Sequence, residues 1–156
     1  MSLPITDITD ITDRVVSHAM GLGLFETVNK NEPKNAPGHG LSCAIWTERI
    51  GFIRSSGLAS GSARLVFTVR IYSNINAAPD EAIDPEMLNA VDKLFAAYSQ
   101  DFTLGGLVRH VDLLGAHGVP LEAVAGYLLV EGGEYRVMTI VLPLIVNDLW
   151  TEGEEA

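Results

Sequence analysis

His110, Asp112 and His117 fall within eight residues, with Gly115, Gly118 and Pro120 around the second histidine. Two imidazoles and a carboxylate are the side chains of a zinc or manganese site, which needs three or four converging donors held by further hydrogen bonds. On a strand, His110 and Asp112 share a face, because side chains alternate with a period of two. Asp112, however, precedes Leu113-Leu114 and a glycine-rich turn, where an aspartate ordinarily satisfies backbone amides. That second reading is preferred, and no metal is expected. His39, in Pro37-Gly38-His39-Gly40, reads as a loop residue rather than a catalytic base. Cys43 has no histidine or aspartate near it in the chain and reads as a small buried hydrophobe. No glycine-rich phosphate cradle follows a strand, no nucleophile elbow is present, and no carboxylate pair stands out for acid–base work. No catalytic residue and no cofactor site is expected, and an enzyme is disfavoured. The minority reading is a small-molecule-binding or enzymatic α+β domain built on His110, Asp112 and His117.

Charge is more informative than motif. Twenty Asp and Glu against ten Lys and Arg give a net charge of −10, with a pI near 4.6. That balance opposes binding to nucleic acid by net attraction, which needs clustered cations on the phosphates. It equally opposes an anionic membrane surface as partner. The distribution is uneven. From Arg49 to Pro79 there are four arginines (Arg49, Arg54, Arg64 and Arg70) and no acid, so the rest of the chain carries −14. These four are the candidate partner-binding residues, a local basic face for an acidic surface; an ordinary solvated strand edge is the competing reading. The segment Ser55 to Ser62 between them is small and polar, the composition of a mobile loop, and loops are common places for recognition. Near the end, Asp148, Glu152, Glu154 and Glu155 form an acidic tail, expected to be solvated.

At 156 residues with 47% hydrophobic side chains, the chain has the length of one domain with a substantial core, and no linker divides it. The single cysteine excludes an intrachain disulfide and a thiol zinc knuckle. No signal peptide is read at the N-terminus, and the longest apolar run, Val137 to Val146, is too short to span a bilayer. A protein without membrane partners is expected.

The elements follow from periodicity. Apolar residues at 5, 8, 11, 15, 19 and 22 predict a helix over Thr6 to Met20, with aspartates in its first turns and Gly21 and Gly23 as the stop. Short strands are predicted over Leu24 to Val28 and Leu41 to Ile50, separated by a Pro- and Gly-rich loop. Ala63 to Tyr72 alternates most clearly: Leu65, Phe67, Val69 and Ile71 oppose Arg64, Val66, Thr68, Arg70 and Tyr72. A second helix is predicted to start with Asp84 as N-cap and Pro85 at the first position. Leu107–Leu113, Leu121–Val130 and Tyr135–Leu142 read as three more strands, the last two joined by a tight turn at Gly132-Gly133. The order predicts an α+β fold, a small mostly antiparallel sheet with two main helices. The last hairpin is apolar on both faces, so if both helices pack on one side, the other side needs another subunit as cover.

Four segments carry a family resemblance: Arg64 to Tyr72, Ile83 to Leu88 with its helix, Val111 to Leu121, and Tyr135 to Trp150. Through them, from about residue 8 to 150, the chain resembles the tail terminator (tail completion) proteins of long-tailed phages, particularly those infecting actinobacteria. None of the four is a chemical motif; the likeness is general. The resemblance implies one tail-terminator-like domain over residues 1–156 that forms a ring, a hexamer in the family. Such a ring caps the tail tube, ends tube polymerisation and presents the surface that joins tail to head. The implied partners are further copies of the chain, the tail tube protein and a head connector or completion protein, with DNA passing through the lumen unread. The implied location is the head-proximal end of the virion tail, after assembly in the host cytoplasm. A head-completion or connector subunit is the alternative from the same particle.

Overall fold

In a computed structural model of the chain, residues 5–33, 40–53, 60–75 and 80–151 are described. The element order is α1 (Ile5–Gly21), β1 (Thr27–Asn29), β2 (Ser42–Ile53), β3 (Ser60–Asn74), α2 (Asp80–Gln100), β4 (His110–Val111), β5 (Glu122–Val130) and β6 (Gly133–Thr151). The strands form one six-stranded sheet in the order β1-β2-β3-β6-β4, with β5 also paired to β6. Among the described residues only the β1–β2 pair is parallel. The α+β class read from the sequence is therefore the fold observed. No helix among the described residues is long and apolar enough to cross a membrane.

Both helices lie on one face. Ile11, Val15, Val16 and Ala19 of α1 and Met87, Ala90, Leu94 and Tyr98 of α2 share one core with Leu65, Phe67, Val69 and Ile71 of β3 and Ile140, Leu142 and Leu144 of β6. The periodicities of 3.6 and 2 thus meet at one layer. The opposite face, the far face, does not lie open along its whole length as the two-sided hairpin implied. Ala44, Tyr72, Tyr135 and Val137 form a second buried cluster there, with Trp46, Leu128 and Val130 packed against it. The rings of Tyr72 and Tyr135 meet edge to face at 6.3 Å between centroids. Large side chains lying across a flat strand surface bury their neighbours without a helix over them. Of the large apolar side chains of β5, Val124 remains exposed on this face, and Tyr127 and Leu129 on the helix side.

Several boundaries differ from the sequence reading. Helix α2 starts at Asp80, and Pro85 lies inside it. The acidic residues at positions 80, 81 and 84 favour a helix N-terminus through the dipole, while Pro85 forfeits one backbone hydrogen bond and crowds the carbonyl four residues back, a cost confined to the start of the helix. Asp84 is no cap; its Oδ1 accepts from Arg136 Nε at 3.0 Å. Strand β1 begins at Thr27 rather than Leu24, after a turn at Gly23 with φ of 67°. The strand expected over Leu107–Leu113 shrinks to two residues, because Leu104, Gly105 and Gly106 all hold positive φ and carry the chain through a turn. The hairpin turns one residue earlier than the glycine pair suggested: Glu131 and Gly132 both have positive φ and Val130 faces Gly133, the two-residue turn whose twist suits a hairpin. Ser60 to Ser62 belong to β3 rather than to the loop before it, and Asp148 belongs to β6 rather than to a solvated tail. Residues 54–59 and 152–156 lie outside the described residues.

Strand β6 runs 19 residues, straight through Pro143. The Pro143 carbonyl accepts from the Asp112 amide at 2.9 Å, so the backbone of residue 143 points away from β3. On that side the β5 pairing ends at Glu122–Val141 and the β4 pairing begins at Val111–Leu144. The missing N–H falls in the gap between two partners, the position where a sheet tolerates proline.

The helices are clasped at one end. Asp101 Oδ2 accepts from Arg14 Nη2 at 2.8 Å and lies 2.7 Å from His18 Nε2, while its Oδ1 accepts the Gly105 amide at 3.0 Å. Burial alone raises the Asp101 carboxyl, but hydrogen bonds from His18, Arg14 and Gly105 and the Arg14 charge outweigh it and hold the group below the usual carboxylate range. A lowered folded-state pKa adds stability that is complete above the unfolded value, near 3.9, and is lost as pH falls through the folded value. Asp101→Asn is therefore expected to lower the melting temperature at neutral pH and to flatten its decline below about pH 4. Parallel declines of wild type and variant from pH 5 to pH 2 would remove the clasp from the acid response.

Candidate functional site

Arg49, Arg64 and Arg70 come together on the far face. Residues paired across strands share a face. Arg64 of β3 pairs with Gly51 and Ile145, and Arg70 pairs with Ala44 and Thr139. Arg49 pairs with Val66, the far-face residue between them, one step past a bulge at Glu48. The bulge matters: one extra residue in β2 reverses the facing of everything after it. Simple alternation from Trp46 would have put Arg49 on the helix side. Arg54 lies outside the described residues.

The three cations differ in exposure and anchoring. Arg49 is exposed. Arg70 is half-buried; its Nε donates to Thr139 Oγ1 at 3.0 Å and its guanidinium sits 5.3 Å from the centre of the Trp46 ring. Arg64 donates from Nη1 to the His117 carbonyl at 2.6 Å. Neither Arg64 nor Arg70 meets a carboxylate among the described residues, so their charges are held in place but not cancelled. Two acids sit at the margin of this surface: Glu122, paired with Val141, and Glu48, whose carboxylate accepts from Trp46 Nε1 at 2.9 Å.

The His110–Asp112–His117 segment is a structured loop at one end of the same face. Asp112 is 2% exposed, and its two oxygens accept the amides of Ala116 and His117, each at 2.9 Å. Both carboxylate oxygens are thus spent on the backbone. The rings of His110 and His117 do approach, with centroids 6.1 Å apart, and His110 Nδ1 lies 3.2 Å from its neighbour's carbonyl at Val111. Asp112 points into the loop rather than toward a shared donor set, and among the described residues no three His, Cys, Asp or Glu side chains converge. Gly115 holds φ of 76°, and a Cβ there would lie 2.9 Å from the backbone nitrogen of Pro120. The glycines are thus part of the loop's geometry.

Cys43 is fully buried, and burial pushes its thiol up to about 12; it packs as a hydrophobe. His39 lies outside the described residues. On the helix side, a cleft is lined by Ile75, Ile83, Asp84, Tyr127 and Arg136. Its one cation is already engaged, by Asp84, by the Gly126 carbonyl and by the Tyr127 ring 4.6 Å away. Comparison with known protein families and with curated protein sequences finds no match. The sequence reading missed Trp46 as the platform under Arg70. The only available signal was the alternation of β2 before the bulge, which puts Trp46 on the same face as Ala44.

Proposed function

We propose that this chain is a structural, non-enzymatic subunit of a phage tail. It assembles as a homo-oligomeric ring, a hexamer by the family resemblance, caps the tail tube, ends tube growth and forms the joint to the head. The observation that carries this reading is the far face: a sheet surface with three arginines and no ion pair among the described residues, on a protein of net charge −10. These charges are anchored but meet no carboxylate among the described residues, which leaves them available to an incoming acidic surface. The exposed Val124 on β5, in the row of Arg70, supplies apolar contact next to it.

Tails assembled without this protein should show tubes of uncontrolled length and unattached heads in electron micrographs. Tubes of normal length that lack only heads would instead indicate a connector subunit, and normal particles would sink both. Within the protein, Arg49→Glu should leave the melting temperature unchanged, since exposed substitutions shift stability by less than about 0.5 kcal/mol. The same variant should reduce head joining in a complementation count. Full joining by Arg49→Glu would move the docking surface elsewhere.

A further inference from the structure

We propose that the far face of the sheet docks on the helix layer of a second copy of this chain, head to tail. The inference rests on the ring reading above and names the surfaces that close the ring. The two layers carry opposite charge. Helices α1 and α2 hold eight carboxylates against Arg14 and Lys93. Of these, Asp10, Glu86 and Asp92 are exposed and make no ion pair among the described residues. The far face holds exposed Arg49 and half-buried Arg64 and Arg70, also without an ion pair among the described residues.

These sets lie on opposite sides of one sheet, so no chain can satisfy its own. Joining far face to far face would set arginine against arginine, which costs affinity. Joining far face to helix layer pairs unlike charges, and such a heterologous contact generates a ring or a filament. Shape agrees with charge. From Arg64 to Arg70 the stripe runs about 20 Å along β3, and α2, at 21 residues, runs about 31 Å. Each surface also has an apolar centre: Leu88 on α2, 59% exposed, between Glu86 and Asp92, and Val124 on β5, also 59% exposed, in the row of Arg70.

The test is directional cross-linking that leaves every charge in place. Val124→Cys marks the far face and Asn89→Cys marks α2. The native Cys43 stays silent, because it is buried and its thiol is held near 12. The two variants are mixed, free and on assembled tails, and treated with a bismaleimide. The expected product joins 124 to 89 and exceeds the yield of either variant alone by about tenfold at low salt, falling as salt screens the charges. Arg49→Glu on the Val124→Cys chain should suppress it, and Glu86→Lys on the Asn89→Cys chain should restore it. Dominant 124–124 product, or a ring on the tail with no 124–89 product, overturns this interface and leaves the ring reading standing. Bare tail ends and a chain that stays monomeric at every concentration and salt overturn both.

Discussion

Asp112→Ala is expected to lower unfolding free energy by about 1–3 kcal/mol, because it removes two part-buried hydrogen bonds from backbone amides to a charged acceptor. Asp112 is 2% exposed and accepts the amides of Ala116 and His117, while its own amide ties the loop to Pro143. The side chain is therefore the anchor of the loop that carries the His117 carbonyl to Arg64. Asp112→Asn should be less damaging, since one amide oxygen remains to accept. Urea denaturation of the three proteins measures this directly. Equal midpoints for wild type and Asp112→Ala would show that the loop holds without its anchor. Stabilisation of the wild type by added zinc or manganese that Asp112→Ala abolishes would return the segment to a metal role.

The sequence carried the fold where a local rule decides it. The alternation of β3 and the apolar stripes of α1 and α2 are visible in the chain because each reports one face of one element. Where two distant segments decide, the chain is mute. The length of β6 was hidden by Pro143, which reads as a terminator until the gap between β4 and β5 is known. The bulge at Glu48 decides where Arg49 points, and an extra residue in a strand has no signature of its own. The Asp101 clasp joins residues 83 and 87 positions apart. Of the candidate site, Arg64 and Arg70 were assigned to one face correctly, but their anchoring was not legible. Arg64 bonds a backbone carbonyl, which every residue has, 53 positions away.

That anchoring changes what reversing the charge at Arg64 should do. As a solvated loop-flanking residue, Arg64 would be replaced at little cost to folding. Instead Arg64→Glu should destabilise the protein by about 2–3 kcal/mol, because a carboxylate cannot donate to the His117 carbonyl and would be half-buried against it. The position is tight as well as bonded: a Cβ added at Gly118 would collide with the Arg64 guanidinium. Arg64 and Gly118 should therefore couple. Gly118→Ala displaces the guanidinium in the wild type, but meets less obstruction once Arg64→Ala has removed it, so the two changes should cost less together than their sum. Melting curves for the two single variants and the double variant give the coupling. Strict additivity would show that Arg64 does not occupy the loop. The comparison with Arg49→Glu then separates folding from docking. If reversal at Arg64 abolishes head joining while lowering stability, and reversal at Arg49 abolishes it without lowering stability, the exposed cation is the recognition group and Arg64 is the pin that holds the face behind it. Loss of joining at Arg64 alone, with Arg49→Glu fully active, would mean that the loop over Arg64, not the arginine face, meets the partner.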